Sequence, residues 1–216
     1  MDPGVETLAA AAGAAWGFAG DRIGARWPAH GDGSVRATDW RTIAVIAVGA
    51  ASFAMLVFRY GDRPMTLLLL TPLVAALVVL FATDLDQRLL PDVLTLPIAG
   101  YAVAAFVSGL GPFVRTPGEL GLAAVAAVGI PGVLYLVSIP FGAGAIGIGD
   151  LKLLFGVGLL VGVARLFATV VIGAVSAAAG IVILIALHRI TLKSYVPYGP
   201  FLIIGAIWAI TVTTAP

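Results

Sequence analysis

Four of the eleven acidic residues call for an explanation. Asp84, Asp86 and Asp92 share the stretch FATDLDQRLLPDVLTLP, and Asp150 stands in GAIGIGDLKLLFG. Asp84 directly ends the apolar run MTLLLLTPLVAALVVLFAT. A carboxylate at membrane depth is costly unless it is paired, hydrated or protonated, so it is a functional candidate by default. The plainer reading is a stop residue that wets a helix end, with Arg88 four residues on as a partner if the helix continues. Asp86 is expected next to water. Pro91 and Asp92 suit the first turn of a following helix, where a carboxylate meets the positive end of the dipole. Asp150 could cap the helix that follows it. That role explains the aspartate but not the glycines before it, Gly142, Gly144, Gly147 and Gly149. Glycines permit unusual backbone angles and close approach of another chain. Two carboxylates held together in a low-dielectric site share one proton. The ionised member can then take a proton from water while the protonated member polarises a carbonyl. That is acid–base hydrolysis with no metal, cysteine or serine. The same pair equally suits proton relay in a carrier.

The elements that must hold these acids are membrane helices. Of the 216 residues 61% are hydrophobic and 11% charged, and the mean hydropathy is +1.10. Soluble domains carry about 25% charged residues. The expected fold is an all-α polytopic membrane bundle of seven or eight spans, forming one domain over residues 1–216. Eight apolar segments stand out, at 5–20, 41–58, 64–83, 93–110, 120–139, 151–163, 166–187 and 199–214. A crossing takes about 20 residues, so 151–163 is short. It is either a tilted helix or one merged with the next segment and interrupted at Arg165. Arg22, Arg26, Arg36, Arg41, Arg88, Lys152, Arg189 and Lys193 fall in one set of loops, and Arg59, Arg63, Arg115 and Arg165 in the other. Eight against four puts the first set, with Asp84 and Asp150, in the cytoplasm and both termini outside.

The remaining composition excludes several classes. A net charge of +1 predicts no nucleic-acid partner, and with no cysteine there is no disulfide, cysteine–zinc site or thiol nucleophile. The N-terminus begins acidic, where a signal peptide is basic. The polar stretch 21–40 reads as a loop. Asp2, Glu6, Asp21, Asp32, Asp39, Asp62 and Glu119 lie in tails, loops or span ends, where solvation suffices. Gly142, Gly144 and Gly147 match a dinucleotide-binding spacing. They follow the apolar Ser138-Ile139-Pro140 rather than a strand, and no acid follows about 20 residues later, so that reading is rejected. There is no internal repeat of the kind proton-coupled carriers show.

At these residues the chain resembles the type IV prepilin peptidases, membrane aspartic peptidases that remove leader peptides from prepilins and pseudopilins. Three stretches carry the likeness: DLDQRLLPDVLTLP (84–97), GIGDLKLL (147–154), like the family's Gly-x-Gly-Asp motif, and VPYGPFLIIGAI (196–207). The resemblance runs over residues 64–214. It implies that Asp84 and Asp150 are the catalytic pair, and it is the resemblance that selects Asp84 over Asp86. It implies supporting places for Gly147, Gly149, Asp92 and Asp86. Lys152 matches the motif lysine and is expected to anchor at the interface. It further implies cleavage after a glycine, just before the substrate's apolar helix, at the cytoplasmic face of the inner membrane. Prepilin substrates and membrane lipid are the expected partners, with no cofactor. Many bacterial members also carry a methyltransferase domain with paired Cys-x-x-Cys motifs between the first two spans. The corresponding loop here is about 20 residues and cysteine-free, which implies peptidase activity alone. The related archaeal preflagellin peptidases are the nearest alternative. A proton-coupled carrier using the same aspartates is the competing class, and a structural scaffold would leave both acids unexplained.

Overall fold

Among the described residues the chain is all-α: α1 (Pro3–Gly24), α2 (Trp40–Tyr60), α3 (Pro64–Gln87), α4 (Asp92–Val107), α5 (Pro117–Ser138), α6 (Ile148–Ala186) and α7 (Gly199–Thr211). The computed structural model describes residues 3–29, 31, 33–141, 146–188 and 197–213. Asp2, Asp32, Gly142, Gly144, Arg189, Lys193 and Val196, used above, lie outside those residues. Helices α2, α3, α5 and α6 are long and apolar enough to cross a membrane, and α4 and α7 are shorter apolar helices. Helix α1 covers the expected segment 5–20 but falls short of that standard. Its Gly13 and Gly17 press on the backbone of Gly49 and Val45 in α2, the close contact that small residues allow between membrane helices.

Local sequence sets the helix ends. Asp39 caps α2, accepting the Arg41 N–H at 2.9 Å while Thr42 reaches back to the Asp39 N–H at 3.2 Å. Helices α3 and α5 each carry a proline in the first turn. Helix α3 stops at Gln87 because Arg88 takes the left-handed conformation (φ 55°), its N–H closing on the Asp84 carbonyl at 2.9 Å. The helix therefore ends before Arg88, which lines the same cavity as Asp84. Asp92 is the first residue of α4, behind Pro91, as its sequence predicted.

Helix α6 is two helices. Straight, its 39 residues would run about 58 Å, nearly twice the hydrocarbon thickness. The chain instead turns back at Gly162 (φ 77°, ψ 178°), not at Arg165. Asp150 opens the first arm beside Gly199 at the start of α7. Arg165, early in the second arm, donates to the Thr213 carbonyl past the end of α7 at 3.3 Å. Farther along that arm, Gly173 meets Leu202 and Gly180 meets the ring of Phe201. The second arm thus runs antiparallel to α7 and to the first arm, and the segments expected at 151–163 and 166–187 are separate helical arms.

The core is one cluster, in which Leu70, Leu73, Val74, Leu77, Val78 and Leu80 of α3 are buried together with Leu153, Leu154 and Val157 of α6 and with Leu202, Ile203 and Ile210 of α7, the helix that lies between them. Large apolar side chains on α2 and α5 stay exposed, among them Phe58, Val125, Val128 and Leu136. That exterior suits lipid rather than water. The arrangement brings the C-terminus of α3 and the N-termini of α4, α6 and α7 to one end of the bundle.

Candidate active site

Asp84 ends the buried face of α3, and Asp150 is the third residue of α6; both are buried, 5% and 7% exposed. Gly147, not Asp150, is the helix cap, and the Asp150 carboxylate reaches back to its N–H at 3.3 Å. Gly199 brings the two acids together. A Cβ at position 199 would press on Asp84 Oδ2 and stand 2.9 Å from Asp150 Oδ1, so both oxygens lie within 3 Å of one point. One water molecule can bridge such a pair with bonds of about 2.7 Å. Asp84 Oδ2 is buried and accepts no hydrogen bond from the protein. A polar atom in that state points to a ligand or a reaction.

Neither motif glycine takes an unusual backbone angle, and only Gly149 is needed for space. The cap Gly147 has φ −68°, which any residue adopts. A Cβ on Gly149 would meet Leu90 Cβ at 2.9 Å, so this glycine lets α6 start against the α3–α4 connection. Above the carboxylates a cavity of about 420 Å³ opens, lined by Asp84, Asp150, Leu90, Gly149, Tyr198 and Gly199, with Arg88, Asp92 and Lys152 at its mouth. Burial, and then the Asp150 carboxylate, push the Tyr198 phenol up, so it remains a neutral hydroxyl. Neither Tyr198 nor Gly199 was singled out by the sequence. The signal lay in the quoted Pro-Tyr-Gly-Pro, a glycine held between prolines.

The supporting residues divide. Lys152 Nζ bonds both oxygens of Asp92, at 2.8 and 2.7 Å, tying the start of α6 to the start of α4. It is a strut between the two helix starts. The pair is partly exposed, so it contributes under about 1 kcal/mol. Asp86 is not beside water. Its side chain is 3% exposed and pairs with Arg36 Nε and Arg41 Nη1, both at 2.8 Å. Asp21, expected to be solvated, is wholly buried, held by Arg22, Arg36 and the Thr42 hydroxyl. Asp39 joins the same group through Arg36 at 2.6 Å. Gln87 adds bonds to the Gly24 and Pro28 carbonyls at 3.2 and 2.7 Å. This network clamps the connection after α1 to the end of α3, one turn from Asp84. The acids therefore have two uses: Asp21, Asp39, Asp86 and Asp92 satisfy cations, while Asp84 and Asp150 face each other.

Comparison with known proteins agrees with the motifs. A model of the type IV leader peptidase family matches residues 71–210, a span that includes Asp84, Asp150 and Gly199. The prepilin leader peptidase/N-methyltransferase of Pseudomonas putida is 33% identical over 162 residues, covering 74% of this chain and 55% of the relative. The chain thus spans about half the length of the curated relative it matches. No solved structure matches. With the family model covering well over half of its length, the chain belongs to the type IV leader peptidase family.

Proposed function

We propose that this chain is an aspartic endopeptidase that removes the leader peptide from type IV prepilins or pseudopilins at the cytoplasmic face of the inner membrane. The observation that carries the reading is the meeting of Asp84 and Asp150 at Gly199, inside a cavity open at one end of an apolar bundle. One carboxyl carries a proton and the other is ionised. The ionised carboxylate takes a proton from water as the water oxygen attacks the scissile carbonyl carbon. The protonated carboxyl donates a hydrogen bond to the carbonyl oxygen, where charge develops. The tetrahedral intermediate collapses as the C–N bond breaks and a carboxyl proton passes to the leaving nitrogen. No covalent enzyme intermediate forms. Asp84 and Asp150 are the catalytic residues in this account. Gly147, Gly149, Asp92, Lys152 and Asp86 position them by the contacts described above.

The cytoplasmic placement is supported by the basic residues of that end, Arg22, Arg26, Arg36, Arg41, Arg88 and Lys152. The substrate's apolar helix lies against the lipid-facing helices while its basic leader stays at the surface. The connection between α1 and α2 is a 15-residue loop without cysteine, tied down by the Asp21 network, so we propose peptidase activity without N-methylation. The test is incubation of the purified protein in detergent with a type IV prepilin and S-adenosylmethionine, followed by mass spectrometry of the products. A mature pilin with a free, unmethylated N-terminus is the expected result. Intact prepilin, across several substrates and lipids, would overturn the proposal in favour of the carrier reading.

A further inference from the structure

Helices α3 and α4 are joined by only four residues, yet they part below that connection. Helix α4 leans instead on the first arm of α6, where a Cβ on Gly156 would stand 3.1 Å from the Ala99 nitrogen and from Ile98 Cβ. The parting leaves a cleft of about 210 Å³ between α3 and α4. Buried Leu73 and Ile98 form its floor, and Pro72, Val93 and Pro97 form an exposed rim. Each wall thus carries an internal proline, which costs a helix one hydrogen bond and bends it. The one polar side chain in the lining is Tyr101. Its hydroxyl donates to the Leu69 carbonyl at 2.7 Å and closes the end of the cleft far from the aspartates.

The near end adjoins the cavity of the aspartates. Leu90 and Asp92 line that cavity, and Val93, the next residue, lines the cleft. Along α3 the cleft runs from Ala76 to Pro72, about 12 to 18 Å before Asp84 at 1.5 Å per residue. Three occupants compete for an apolar cleft on a membrane protein: an acyl chain, a second copy of the chain, and a substrate. Of these, a substrate must also reach the aspartates. In the function proposed above, its scissile bond joins a polar leader to an apolar helix. With that bond at Asp84 and Asp150, the helix needs an apolar path that starts beside the cavity and runs inward along the bundle. The α3–α4 cleft is such a path. A second apolar groove, between α2 and α7 at Ala51 and Trp208, shares no lining residue with the cavity.

We propose that the α3–α4 cleft receives the first two to three turns of the substrate's apolar helix. Substrate residues about 8–12 past the scissile bond then lie against Ala76 and Pro72. Apolar side chains of the substrate fill the cleft, and its helix backbone lies over the rim on the lipid side. The proposal rests on the reading of the chain as a leader peptidase, and the test separates the two.

The chain has no cysteine, so one introduced cysteine is a unique cross-linking site. Val93→Cys and Ala76→Cys in the cleft, and Ala51→Cys in the α2–α7 groove, are each made in an Asp84→Asn background that spares the scissile bond. Each full-length protein is oxidised in detergent with a type IV prepilin carrying a single cysteine in the first twelve residues after that bond. Disulfide adducts with the prepilin are expected at Val93→Cys and Ala76→Cys and not at Ala51→Cys. In otherwise wild-type protein, Ala76→Leu is expected to fill the cleft, raising KM about tenfold with kcat within threefold, the mark of lost ground-state binding. The cysteine variants keep the proposal testable if Ala76→Leu does not fold. Where wild type cleaves the prepilin, three results would overturn the proposal and leave the peptidase reading standing: adducts at Ala51→Cys instead of the cleft, Val93→Cys homodimers instead of prepilin adducts, or an unchanged KM in folded Ala76→Leu. Intact prepilin after incubation with wild type would overturn the peptidase reading, and the proposal with it.

Discussion

Gly199→Ala tests the geometry of the candidate site with one methyl group. The added carbon would lie 2.8 Å from Asp84 Cγ and 2.9 Å from Asp150 Oδ1, closer than the 3.0 Å that Cβ contacts respect, and closer still to Asp84 Oδ2. Position 199 cannot retreat freely, because it opens α7 just before Pro200, and α7 is locked against α6 where Gly205 meets Gly173. The aspartates must therefore move apart by something on the order of 1 Å. Misplacement on that scale costs about a hundredfold in rate, or about 2.7 kcal/mol of barrier. In the proposed function the substrate's apolar helix lies away from this point, so kcat should fall while KM changes little. The assay is initial-rate cleavage of a prepilin by detergent-purified protein, with thermal unfolding to confirm the fold. Gly100→Ala is the control, since nothing lies within 4 Å of a Cβ at that exposed position of α4. A folded Gly199→Ala protein with kcat within threefold of wild type would refute the reasoning that Gly199 sets the spacing of the pair.

Asp86→Ala should act on stability rather than chemistry. It leaves Arg36 and Arg41 facing each other at a buried position, costing about 3 kcal/mol, and lowers Tm while the folded fraction still cleaves; a variant as stable as wild type but inactive would reverse the roles given to Asp84 and Asp86. Gly162→Ala forces a side chain into a backbone region that is nearly glycine-only, at a cost of about 1–3 kcal/mol, although Val114 Cγ2 at 3.6 Å leaves room for the atom itself. An unchanged Tm for that variant would mean that the reversal of α6 does not rest on this glycine. A pair that needs one proton and one charge predicts a bell-shaped pH dependence of kcat/KM, and a flat profile would argue against the dyad.

The helices and the position of the site were legible in the sequence for different reasons. Long apolar blocks mark the helices because lipid demands them, and Pro91-Asp92 marks the start of α4 because proline and an acid both suit a first turn. The reversal within α6 was half visible: 151–163 is too short for a crossing, yet Arg165 drew attention that belonged to Gly162, whose φ no composition reveals. Asp21 and Asp86 were misjudged for a different reason. Their shared partner Arg36 lies in the stretch that reads as loop and Arg41 opens the next apolar segment, and only the folded chain brings them to the end of α3. Gly199 was passed over because it bears no chemistry of its own; its role is the absence of a side chain between two carboxylates.

The central claim is that Asp84 and Asp150 act as one hydrolytic pair. It is tested most directly by prepilin cleavage with wild type, Asp84→Asn and Asp150→Asn, all verified to be folded. Either substitution removes the one charge or the one proton the pair must divide, so the account predicts cleavage by wild type and loss of at least about a thousandfold in each variant. Cleavage that persists in Asp84→Asn or in Asp150→Asn would contradict it.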